Sequence, residues 1–118
     1  MGQYYVAVNL DKKEYVNPHR VGVGMKLWEQ MANHPSTPEL LYALLACSNG
    51  RGVSGDLKNH DYIGRWAGDR IVVLGDYSKN GDVHGVDTSG LWDKVLAVNS
   101  EYVEISAKIK DILDQVRY

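Results

Sequence analysis

Six side chains able to offer oxygen or nitrogen follow one another in the run GDYSKNGDVHGVD. Asp76, Ser78, Asn80, Asp82, His84 and Asp87 stand at the successive ligand positions of an EF-hand-type calcium loop, with Gly81 where such a loop turns sharply. Calcium takes hard oxygens from a backbone that can curl around it, so the spacing could hold that ion. Three features point away from it. Of the first three ligand positions only Asp76 is a carboxylate, Asp87 is shorter than the usual bidentate Glu, and the preceding IVVLG is strand-like rather than helical. Asn80-Gly81 between extended segments is a strong hairpin signal. A hairpin turn over SKNGD is therefore the preferred reading, with calcium as the alternative and no other cofactor expected.

A second concentration of chemistry lies in NHDYIGRWAGDR, residues 59–70. Trp, Tyr and Arg dominate protein-interface hot spots. Tyr62, Arg65, Trp66 and Arg70 are thus the candidate partner-binding residues. The same residue types fit a structural role, with Trp66 plugging the core while Arg65 and Arg70 pair with Asp61 and Asp69. Sequence leaves both open.

Other patterns carry less. GRGVSG, residues 50–55, fits the spacing of a phosphate-binding glycine loop, but a helical pattern precedes it and none follows, the reverse of what that site needs. His19, His34, His60 and His84 have no metal-site spacing. The single Cys47 lies in an apolar run and reads as a buried thiol in a reducing compartment. No nucleophile–base or zinc-protease motif is present, and no spacing singles out a carboxylate pair.

These residues need a scaffold. QYYVAVNL, residues 3–10, reads as a buried strand, and RIVVLGDY, residues 70–77, as a second, apolar enough to be central. EYVEI, residues 101–105, alternates as a third, and a short extended piece follows DKKE. MKLWEQMAN predicts a short helix with Leu27, Trp28 and Met31 on one face. STPELLYALLACSNG predicts a central helix, with Ser36 and Glu39 at capping-box spacing and Pro38 in the first turn. TSGLWDKVLAVN is ambiguous between helix and strand. SAKIKDILDQVRY predicts an amphipathic helix capped by Ser106 and burying Ile109, Ile112, Leu113 and Val116. The expected fold is α+β, one domain over residues 1–118, with a small, mostly antiparallel sheet of three to four strands and two main helices packed on one face.

Composition limits the partners. The 118 residues carry 13 basic and 15 acidic side chains, a net charge of −2, and no basic stripe, so nucleic-acid binding is not expected. Eight Tyr and three Trp with no Phe imply many ring-tip hydrogen bonds. No membrane-spanning or secretory pattern is visible, and a cytoplasmic location is expected. A homodimer is allowed, although no heptad seam specifies one.

MGQYYVAVNLDKKEYVNPH together with RWAGDRIVVLGDY resembles a group of small bacterial and phage proteins that open with MGQYY and carry a W-x-G-D-R-I-V…GDY segment. The likeness covers about a third of the chain and brings no catalytic residue with it. It implies a cytoplasmic, phage-encoded protein that acts by binding a host or bacterial protein. The leading expectation is accordingly a non-enzymatic protein-binding module that inhibits a host factor, such as a defence system, by steric occlusion. The alternatives are a small-ligand or calcium-binding domain using residues 76–87, and a nucleotide or nucleic-acid-processing accessory protein using Arg51, Lys58, Arg65 and Arg70.

Overall fold

The computed structural model describes residues 3–22, 24–33, 35–47 and 61–116. Four strands form one sheet: β1 (Tyr5–Asn9), β2 (Glu14–Val16), β3 (Ile71–Gly75) and β4 (Val103–Glu104), in the order β3-β1-β2-β4. β1 is antiparallel to both neighbours, whereas β2 and β4 run parallel. Among the described residues four α-helices pack around it: α1 (Leu27–Ala32), α2 (Thr37–Leu45), α3 (Leu91–Leu96) and α4 (Ser106–Val116). The α+β class and single small mixed sheet agree with the sequence reading. Among the described residues no helix is long and apolar enough to cross a membrane.

Side-chain alternation divides the sheet into two buried faces. Ala7 and Val16 face one core, shared with Leu40, Ala43 and Leu44 of α2 and Ile109, Ile112 and Leu113 of α4. Val6, Val8, Tyr15 and Leu74 face the other, closed by Leu91 and Val95 of the short helix α3. The two main helices thus share one face, as expected, and the ambiguous segment at residues 91–96 resolves as the helix that covers the reverse.

Several local expectations change. The apolar segment IVVLG forms β3, but β3 is an edge strand rather than a central one. Its apolar character comes from lying over a covered face, not from having two strand neighbours. Among the described residues no strand after Asn80-Gly81 pairs with β3, so the expected hairpin does not form; an isolated Val83–Val86 bridge occurs there instead. Ser106 does not serve its own helix as a cap. Its hydroxyl accepts the Asn17 N–H at 2.8 Å, fastening α4 to the chain leaving β2. Cys47 is exposed rather than buried.

The first turn of α2 follows the predicted pattern on one side: the Glu39 carboxylate accepts the Ser36 N–H at 2.7 Å. Its far end is closed by the chain returning from residue 61. Gly64 N–H donates to Ala43 O and Trp66 N–H to Leu44 O, each at 2.9 Å, so one terminal carbonyl of the helix gains a donor and Ala43 O, which also accepts Ala46 N–H at 3.3 Å, gains a second. This docking brings Gly64 so close that a Cβ would lie 2.7 Å from Ala46 O, with φ at +81°. Gly64→Ala is expected to destabilise the fold by about 1–3 kcal/mol in urea denaturation, combining strain and collision. Gly81→Ala, equally left-handed but facing open space, is expected to lose less.

Candidate functional site

Glu14, at the start of β2, projects onto the same sheet face as Ala7 and Val16 and is buried. An isolated carboxylate there would lose its hydration without return. Two donors prevent this. Arg65 grips both carboxylate oxygens, with Nη2 to Oε2 at 2.6 Å and Nε to Oε1 at 3.0 Å, and Trp66 Nε1–H donates to Oε1 at 2.9 Å. Burial is the largest influence on Glu14 and opposes its ionisation; the bonds from Arg65 and Trp66, with the Arg65 charge, outweigh it and hold the carboxyl below its ordinary range. The bond to Glu14 correspondingly raises Arg65. The guanidinium also stands over the Tyr62 ring, 5.0 Å from its centroid.

The sequence leaves Trp66 open between surface and core, and its exposure of 0 % places it in the core. An outward-facing Trp66 as a gripping residue is therefore corrected. The arginine pairing is corrected too. Arg65 takes Glu14, and Arg70 Nε takes Asp11 Oδ1 at 2.9 Å while Arg70 N–H reaches Asp11 Oδ2 at 2.7 Å. Asp69 instead accepts from Lys12 Nζ at 2.6 Å and Asn9 Nδ2 at 2.8 Å. The Arg70 N–H, then its side chain, hold Asp11 low, and the Lys12 and Asn9 bonds do the same for Asp69. Arg51, Lys58, His60 and the glycine pattern at residues 50–55 lie outside the described residues, as does His34.

The 76–87 segment does not gather its oxygens on one point. Asp76 Oδ1 accepts Tyr4 N–H at 3.1 Å, Ser78 Oγ bonds Gly75, Asp82 Oδ2 accepts Lys79 N–H at 2.9 Å, and Asp87 Oδ1 accepts Ser89 N–H at 2.9 Å. Asn80 and His84 are exposed. Asp82 and Asp87 thus pin their own turns and Asp76 the start of β1, and among the described residues no three His, Cys, Asp or Glu groups come together to hold a metal ion.

A charged recess of about 250 Å³ adjoins Arg70 and Asp87, with Lys13, Lys94 and Glu101 around it; an apolar one lies elsewhere. A groove of about 190 Å³ runs between α1, α2 and β3, walled by Leu27, Met31, Pro38, Leu41 and Val73, with Thr37 at its border. Sequence reading places Leu27, Trp28 and Met31 on one helix face, and the structure leaves them 42 %, 75 % and 61 % exposed. The buried residue is Gln30. Its Nε2 donates to Tyr5 O at 3.1 Å and Met25 O at 2.8 Å. β2 pairs with β1 only as far as Ala7, so the Tyr5 carbonyl has no strand partner on that side, and the Gln30 amide replaces one. On this six-residue helix Trp28 points almost opposite Gln30 and stays in solvent, while Leu27, three positions before Gln30, shares its side and borders the groove. Thr37 Oγ1 is buried beside this groove with no hydrogen-bond partner.

The chain matches no family model, no curated protein and no solved structure. The site must be argued from its own geometry. Of the proposed binding residues, the structure brings Tyr62, Arg65 and Trp66 together around Glu14, while Arg70 turns to Asp11. Sequence places Leu, Trp and Met on one face of α1 without saying which way that face turns, so the groove is not legible there. Gln30 is the buried residue of α1 while Glu29 beside it is exposed, and no pattern in the sequence separates the two.

Glu14 ionises more readily folded than unfolded, so its contribution is present above the ordinary glutamate range. It is lost as pH falls through the depressed folded value. Glu14→Gln is expected to flatten the acid limb of stability against pH and to cost about 1–3 kcal/mol at neutral pH, both readable by urea denaturation across a pH series. Trp66→Ala is expected to cost about 3–5 kcal/mol. A melting temperature unchanged by that substitution would return Trp66 to the surface.

Proposed function

We propose that this is a non-enzymatic protein-binding module whose contact surface is the α1–α2–β3 groove and the outer side of α1. The supporting observation is the exposed set Leu27, Trp28 and Met31 beside Val73, held rigidly by the Gln30 amide yet unpacked. Apolar surface of this kind marks interaction sites, and Trp28, on the outer side of α1, is of the residue type that most often anchors one. In this reading Tyr62, Arg65 and Trp66 build the scaffold and Arg70 braces the β1–β2 turn through Asp11. The mode of action is steric: a host or bacterial protein that seats an apolar segment in the groove loses access to whatever that segment otherwise meets. The likeness to small phage proteins supports an inhibitory role and a cytoplasmic setting.

Immobilised wild-type chain is expected to retain its partner from host lysate, and Met31→Asp and Trp28→Ala are each expected to weaken retention at least tenfold, about 1.4 kcal/mol. Both side chains are exposed, so melting temperatures should stay close to wild type. Unaltered capture of the same partner by both variants would reject the groove as the binding surface.

A further inference from the structure

We propose that the open edge of β3 pairs antiparallel with β3 of a second copy, centred on Val72, joining the two sheets into one. This concerns the strand edge beside the groove and does not rest on the partner-binding reading.

The ladder to β1 extends one residue past β3 at each end, through Leu10 N–H to Arg70 O and Asp76 N–H to Tyr4 O, each 2.9 Å. With Val6 opposite Leu74 and Val8 opposite Val72, the even-numbered residues from 70 to 76 turn their N–H and C=O groups toward β1. Residues 71, 73 and 75 turn theirs to the free side, since pairing alternates along an antiparallel strand. Gly75 is already engaged there, its N–H and C=O held by the Ser78 side chain and backbone. Ile71 and Val73 are left, with outward donors and acceptors on an uncharged five-residue edge. Natural edges usually carry a charge, a proline or a cover against such pairing; this one, among the described residues, has none.

Only one twofold register fits. Centred on Val73, it would need the Gly75 groups that Ser78 holds. Centred on Ile71, it would need Asp69, whose N–H donates to Trp66 O. Centred on Val72, Ile71 of each copy meets Val73 of the other, and the outward groups of both residues are satisfied. Charge agrees with this choice. Arg70 then lies opposite Leu74 of the second copy and diagonal to its Asp76, on the same sheet face and within reach of a long side chain. Arg70 uses Nε and its backbone N–H on Asp11, leaving its terminal nitrogens, and Asp76 uses only Oδ1, on Tyr4. The twofold repeats this ion pair at both ends of the contact.

The test is sedimentation equilibrium at about 100 μM chain, a hundredfold above a micromolar dissociation constant. Wild type is expected at twice the chain mass and Val73→Lys at the chain mass, because the lysine sits on the edge but outside the β1 ladder. Register is read by oxidation in a Cys47→Ser background. Val72→Cys is expected to give a covalent dimer, its symmetry mate lying about 4.5 Å away between α-carbons; Val73→Cys, facing Ile71, is not. Monomeric wild type, a dimer that survives Val73→Lys, or equal crosslinking by the two cysteine variants would each overturn the proposal. Trp28→Ala should remain dimeric, which separates failure of this contact from failure of partner capture.

Discussion

The carboxylate of Glu14 is the constraint around which the rest is arranged. Several kcal/mol would be lost by burying it alone, so β2 can carry it only if donors arrive from elsewhere in the chain. Arg65 and Trp66 supply them, and in doing so they commit the whole 62–69 segment to a course across the sheet. That course puts Gly64 and Trp66 N–H groups against the last carbonyls of α2, and α2 in turn supplies Pro38 and Leu41 to the groove. One ionised side chain therefore couples a three-residue strand, a loop and a helix end. Its cohesion is partly electrostatic, which is why acid loosens it while the surrounding aliphatic core is indifferent to pH.

A second substitution of one kind of group for another sets the outer surface. Where β2 ends too early to pair with Tyr5, a side-chain amide from α1 completes the hydrogen bonding that a longer strand would have made. The consequence is an inside-out helix. Its glutamine is sealed and its large apolar residues are solvated, an arrangement whose cost in exposed hydrocarbon must be carried by the rest of the core. The two solutions are complementary. Glu14 draws an aromatic ring inward at one side of the face, and Gln30 pushes one outward at the other.

Much of the architecture is legible in the residues. β1 follows from a β-branched run, α4 from the spacing of Ile109, Ile112 and Leu113, and α2 from Ser36, Pro38 and its leucines. What is not legible depends on partners distant in the chain. Trp66 could be surface or core until Glu14, fifty-two positions earlier, is known to face it. Arg65 and Arg70 have acids close by in sequence, yet geometry gives them Glu14 and Asp11 from the β1–β2 hairpin. The apolar run of β3 does not distinguish a centre from an edge, because both bury side chains and differ only in where the backbone groups point. The Asn80-Gly81 turn signal was local and sound, but no pairing strand follows it, and the acids around it fasten neighbouring amides instead.

Because a single acid answers two donors at once, a change at position 14, 65 or 66 is felt at the other two. Loss of the acid strands an indole N–H and a guanidinium together. Leu27, Trp28 and Met31 hold no such knot, so the outer side of α1 can change its chemistry while the frame beneath it stays tied.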